Sequence, residues 1–186
     1  MSTKKNKFNQ KDHYYMNLAF NLARDQSGLT GLNPPVGCVI VKNDEVISIG
    51  QTGKNGRPHA EYNAIKSCKE NLKGSKMYVS LEPCTHYGKT PPCSNIIIKS
   101  KIKEVIFPII DVDNKTKAKS FKIFKSKNIK VKCGILKNEA KKIYKPYIYN
   151  RINKLPFVTG KLAVSKDNFI YSKKKRITNI YSDDIN

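Results

Sequence analysis

Apolar residues recur along the first third of the chain in two rhythms. Tyr15, Leu18, Ala19 and Leu22 fall at i, i+3, i+4 and i+7, one face of a helix, and Asp12 stands where an N-cap is expected. This helix is expected to end before the turn at residues 28–31. Asn33-Pro34-Pro35 then forces extended backbone into the β-branched run 36–41, which reads as a buried strand. Asn43-Asp44 separates that run from Val46-Ile47-Ser48-Ile49, a hairpin signal. After a loop carrying Gly50, Gly53 and Gly56, a helical rhythm runs from His59 through Tyr62, Ala64 and Ile65 toward Leu72.

Strand and helix keep alternating downstream. Residues 77–81 and 105–107 predict strands, 129–133 one more, and a helix is expected to start at Pro92-Cys93 with proline near its first turn. A basic helix over about 117–125 joins the last two strands. A final helix over 137–152 carries Ala140, Ile143, Tyr144 and Tyr147 on one face, with Pro146 bending it. Residues 155–164 read as a further strand, followed by the run Lys173-Lys174-Lys175-Arg176. This order predicts an α/β protein, a three-layer α/β/α domain over a mixed central sheet. The polar, basic residues 1–11 are expected to form a loose arm, 12–150 the main domain, and 151–186 a segment of different texture.

Composition narrows the classes. The chain has 186 residues, 39% of them hydrophobic, enough for a core. The basic N-terminus lacks the apolar stretch of a secretory signal, and no run approaches a membrane span. Five cysteines without scaffold spacing point to a reducing, cytoplasmic setting, where thiols bind metal or catalyse. The 36 Lys and Arg against 14 Asp and Glu give a net charge of +22. That excess fits either a nucleic-acid partner or a Lys-rich compositional bias.

His59, Glu61, Cys84 and Cys93 carry the chemistry. Zinc favours nitrogen and sulfur ligands, and a catalytic zinc keeps three protein ligands so that water takes the fourth place. One His and two Cys meet that count. His59 and Glu61 lie two apart at a helix start, Cys84 follows Pro83 after a strand, and Cys93 opens the next helix. The pattern His-Ala-Glu, then Pro-Cys and a second Cys, is that of zinc deaminases, in which the Glu carries protons and does not bind metal. Cys38, Cys68 and Cys133 read as core thiols. Eight residues separate Cys84 from Cys93, and their loop offers His86 and Lys89 to an anionic substrate.

The motif Leu81-Glu82-Pro83-Cys84-Thr85-His86-Tyr87-Gly88-Lys89-Thr90-Pro91-Pro92-Cys93 resembles the signature of the riboflavin-biosynthesis pyrimidine deaminases, of cytidine-deaminase-like fold. Residues 33–41 resemble their first strand and Gly56-Arg57-Pro58-His59-Ala60-Glu61 their zinc helix; the likeness covers about 12–150. It implies one zinc ion held by His59, Cys84 and Cys93, with Glu61 as proton shuttle. The reaction implied is hydrolytic removal of the 2-amino group from 2,5-diamino-6-(5-phosphoribosylamino)pyrimidin-4(3H)-one. It also implies substrate contacts at Asn33, His86 and Lys89, the last suited to phosphate. Thr52 stands where the family often has a His and can still donate a hydrogen bond.

The tail extends the resemblance. Residues 155–167 look like the opening of the NADPH-dependent reductase domain that usually follows the deaminase, and Arg176-Ile177-Thr178-Asn179 like its next motif. The chain stops within that domain's first strands, so NADPH binding and reductase activity are not expected of it. The expected partner is a small phosphorylated pyrimidine, with no nucleic acid and no membrane; a homo-oligomer stays open. Two alternatives remain at this level: a deaminase of RNA or free nucleotides, and a catalytically dead basic binding module.

Overall fold

The computed structural model describes residues 7–164 and 166. Among these, the elements run α1 (Gln10–Asp25), β1 (Gly37–Lys42), β2 (Glu45–Gln51), α2 (Ala60–Ser67), β3 (Lys76–Val79), α3 (Cys93–Lys99), β4 (Glu104–Phe107), α4 (Lys119–Ser126), β5 (Lys130–Cys133), α5 (Lys137–Ile143) and α6 (Lys145–Asn153). The sheet order is β2-β1-β3-β4-β5. β1 pairs antiparallel with both β2 and β3, whereas β3, β4 and β5 are parallel, so the sheet is mixed as expected. Asn43 and Asp44 both take positive φ, the backbone of a tight hairpin turn, between β1 and β2.

Alternation along the strands splits the core in two. Cys38, Ile40, Met77, Val79, Val105 and Phe107 face one side, where Ala60, Ala64, Ile97 and Phe124 of α2, α3 and α4 cover them. Val39, Val41, Tyr78 and Ile106 face the other, under Met16, Ala19, Phe20 and Ala140 of α1 and α5. The result is a three-layer α/β/α arrangement. Each fully buried large side chain, such as Phe107 or Phe124, contributes about 1.5–3 kcal/mol. Gly50 fixes one contact between layers, because a Cβ there would lie 2.3 Å from the Ala60 carbonyl and 2.4 Å from the Ala64 amide. α2 therefore rides directly on the backbone of β2.

Several element boundaries differ from expectation. Asn9, not Asp12, caps α1: its side chain accepts from the Asp12 amide at 2.8 Å, while the Asp12 carboxylate accepts from the Asn9 amide at 3.0 Å. Asp12 is thus the returning half of a capping box. α2 ends at Ser67, and Leu72 reaches the same core from the loop beyond, so its helical phase is fortuitous. The single bent helix over 137–152 is two helices, with Pro146 in the first turn of α6, where its missing N–H costs no bond. Residues 155–164 form no strand, for no neighbouring strand pairs with them among the described residues. The chain divides into two units, Met1–Pro156 and Phe157–Asn186. The Lys173–176 run, the motif at 176–179 and residues 1–6 lie outside the described residues. Among those described, no helix is long and apolar enough to cross a membrane.

Candidate functional site

Two helix starts and one strand end meet at a single point. His59 is the residue before α2, in extended conformation, so its ring projects past the helix end. Cys84 follows β3 by five residues, and Cys93 is the first residue of α3, behind Pro92. The Cys84 carbonyl accepts from the Ser94 amide at 3.1 Å and its Sγ from the Cys93 amide at 3.2 Å. These bonds close the intervening loop and bring both sulfurs to one imidazole: His59 Nδ1 lies 3.6 Å from Cys84 Sγ and 3.3 Å from Cys93 Sγ. All three ligand atoms fall within 4.8 Å of one another.

The electrostatics of this cluster suit a soft divalent cation. The Cys93 thiol donates toward Cys84 and is the largest cause of a Cys84 thiol pushed down to about 4; burial opposes this, and the His59 contact adds to it. The Cys93 thiol is correspondingly pushed up by Cys84 and by burial. His59 is raised, first by its bond to Cys84. One imidazole and two sulfurs, one of them shifted toward the thiolate, form a donor set that fits zinc. Glu61, in the first turn of α2, is 4% exposed. Burial, then the Cys84 charge, raises its carboxyl above the usual range.

His59, Glu61 and Cys84 open onto a cavity of about 120 Å³. Of the residues expected to touch substrate, Asn33, Thr52 and His86 line it. Asn33 Nδ2 donates to the Gly56 carbonyl at 3.1 Å, and Gly56, at φ +85°, leaves no room for a Cβ against the Asn33 side chain. The Thr52 hydroxyl accepts from the Val36 amide at 2.9 Å and donates to the Val36 carbonyl at 3.3 Å, so it is engaged with backbone. His86 Nδ1 lies 3.2 Å from Thr116 Oγ1. Lys89 is exposed on the cysteine loop and is not part of the wall.

The wall also holds residues that sequence reasoning passed over: Arg57, Glu82, Asp111, Asp113, Tyr147 and Arg151. Glu82 accepts from the Asp111 and Ala118 amides, both at 3.0 Å, and from the Ser120 amide and hydroxyl at 3.2 and 2.6 Å. It thereby pins the segment after β4 against the cavity. Asp111 accepts from Tyr147 Oη at 2.8 Å, and Arg151 sits 3.8 Å from Asp113. Asp111-Val112-Asp113 lies just beyond the carboxyl end of a parallel strand, where ligands gather in α/β sheets. That position was the available signal.

Comparison with known proteins accords with this geometry. Residues 9–109 match the model of the cytidine and deoxycytidylate deaminase zinc-binding region. The riboflavin biosynthesis protein RibD of Bacillus amyloliquefaciens is 40% identical over 84% of this chain and 42% of its own length. The chain thus spans less than half of that curated relative. A diaminohydroxyphosphoribosylamino-pyrimidine deaminase of Buchnera aphidicola is 41% identical over 78% of this chain and 99% of its own length. Among solved structures, the Thermotoga maritima diaminohydroxyphosphoribosylaminopyrimidine deaminase/5-amino-6-(5-phosphoribosylamino)uracil reductase superposes with a TM-score of 0.87 at 36% identity, covering 92% of this chain and 50% of that one.

Proposed function

The chain belongs to the cytidine and deoxycytidylate deaminase zinc-binding family, alongside the diaminohydroxyphosphoribosylaminopyrimidine deaminases, and from that premise we propose that it deaminates a phosphorylated diaminopyrimidine in riboflavin biosynthesis. The observation that carries this reading is the match to a relative of that name along nearly its whole length. His59, Cys84 and Cys93 would hold one zinc ion per chain. Zinc, when bound, acidifies water toward neutral pH and so supplies a nucleophile where free water would not serve.

Glu61 is the proton carrier. Buried beside the cluster, one of its carboxylate oxygens takes a proton from the attacking water and passes it to the departing amino nitrogen. The C2–N bond to the amino group breaks and a C2=O bond forms as the ring C2=N bond becomes single, its nitrogen taking the water's second proton, so one water is consumed for each ammonia released. Asn33 and His86, on the wall, contact the pyrimidine. Thr52 bounds the cavity beside the ring, and Lys89 offers charge from the cysteine loop. Residues 151–186 open a reductase domain by the same resemblance, with no NADPH site assigned to them. The five free thiols suit a reducing cytoplasm.

The test is ammonia release from 2,5-diamino-6-(5-phosphoribosylamino)pyrimidin-4(3H)-one by the full chain, with a chelated sample alongside. Stoichiometric ammonia that disappears on chelation and returns with zinc is the expected result. Turnover of RNA adenosine or free cytidine, with none of the ribotide, would overturn the reading.

A further inference from the structure

Arg57 stands two residues before His59 and lines the cavity together with His59, Glu61 and Cys84. It is half-buried. Its Nη1 donates to Thr90 Oγ1 on the cysteine loop, and its Nη2 lies 3.5 Å from where a Cβ on Gly88 would stand. A guanidinium offers five N–H donors, and Thr90 takes one of them.

The other charges of the wall face opposite charges or donors, although among the described residues the buried Nε of Arg151 keeps no hydrogen bond. Arg151, the second cation there, is 3.8 Å from Asp113, lies over the Tyr147 ring at 5.3 Å and reaches the Leu32 carbonyl at 3.4 Å. Both Glu82 oxygens are spent on the segment after β4. Asp111 accepts from Tyr147 and from the Asp113 amide, and Asp113 accepts from the Lys115 amide besides facing Arg151. Among the described residues no carboxylate lies within 4.0 Å of Arg57, whose side-chain partner is a neutral hydroxyl. A partly desolvated guanidinium with donors to spare, set in the wall of a catalytic cavity, calls for an anion.

We propose that Arg57 is the residue that reads the phosphate of the substrate, pairing its planar fork with a phosphate monoester at the edge of the cavity beside the cysteine loop. This rests on the deaminase reading, since the phosphate belongs to that substrate. The Thr90 bond sets the guanidinium's position, so loop and anion subsite are built together. Fork-to-phosphate pairing supplies geometry as well as charge, which a lysine in the same place would not. Lys89, exposed on the same loop, adds charge from outside the wall.

The test compares the ribotide with its dephosphorylated riboside, as the ratio of their kcat/KM values. Arg57→Ala is expected to cut the wild-type ratio at least tenfold, mainly through KM, and Arg57→Lys to restore only part of it. Thr90→Val removes the tether and keeps the charge; it should lower the ratio, but by less than Arg57→Ala does. An Arg57→Ala ratio equal to wild type, with both substrates equally impaired, overturns the proposal and assigns Arg57 to loop structure. Calorimetric titration with ribose 5-phosphate separates this from the deaminase reading. Binding lost in Arg57→Ala, in a wild type that releases no ammonia, would keep the anion subsite and sink the deaminase. An active wild type whose ribose 5-phosphate affinity and substrate ratio ignore Arg57 would do the reverse.

Discussion

At the scale of single residues, the three candidate metal ligands stand apart from the candidate proton carrier. His59, Cys84 and Cys93 converge through their ligand atoms, whereas Glu61 belongs to the cavity wall and not to that group of three. Glu61→Gln is therefore expected to keep zinc at one equivalent, by metal analysis, while turnover falls about 10²–10⁴-fold, the range for a lost general acid–base. Loss of the metal with the carboxylate would reverse the assignment. The four residues were legible in the sequence because their types and order match one chemistry. Arg57 was not, since an arginine in a loop carries no signature until its partners are known.

At the scale of elements, local rules explained most starts and few of the ends. The hairpin turn at Asn43-Asp44 and the start of α3 behind Pro92 followed directly from residue type. The cap of α1 was displaced by three residues, since Asn9 and Asp12 both suit an N-cap and only the reciprocal bonds decide between them. Likewise Pro146 is compatible with a bend or with a fresh helix start, and the break at Tyr144, which caps the end of α5 and the start of α6, makes it the second. The clearest long-range device is Glu82, whose four accepted bonds hold residues 111–120. Glu82→Gln replaces one accepting oxygen with an NH2 group, leaving donors facing donors. We expect a loss of about 1–3 kcal/mol. This should appear as a thermal midpoint lowered by several degrees, with kcat/KM reduced because Asp111, Asp113 and Thr116 lose their fixed place in the wall. A midpoint unchanged within one degree would show that the segment is held by other means.

At the scale of the molecule, the basic excess of the described residues lies at the surface: no lysine among them is buried, and most are exposed. Both core clusters are built chiefly from apolar side chains of the strands and the helices that cover them. Zinc removal should accordingly leave the far-ultraviolet circular dichroism of an α/β protein in place, while lowering the thermal midpoint through the lost binding free energy. Unfolding on chelation would mean that the metal holds the layers together.

The alternation of elements, the three-layer class and the choice of His59, Cys84, Cys93 and Glu61 as candidate site residues were legible in the chain alone, because periodicity and ligand chemistry are written residue by residue. Only the tertiary structure decided what shares the cavity. The order β2-β1-β3-β4-β5 and the seating of α2 on Gly50 bring residues 57–61, 82–86, 111–116 and 147–151 to one wall. Charge compensation among them depends on distances across the fold. That is why Arg57 emerged as the wall cation without a carboxylate partner among the described residues, and why Lys89, equally basic on paper, stands outside the wall.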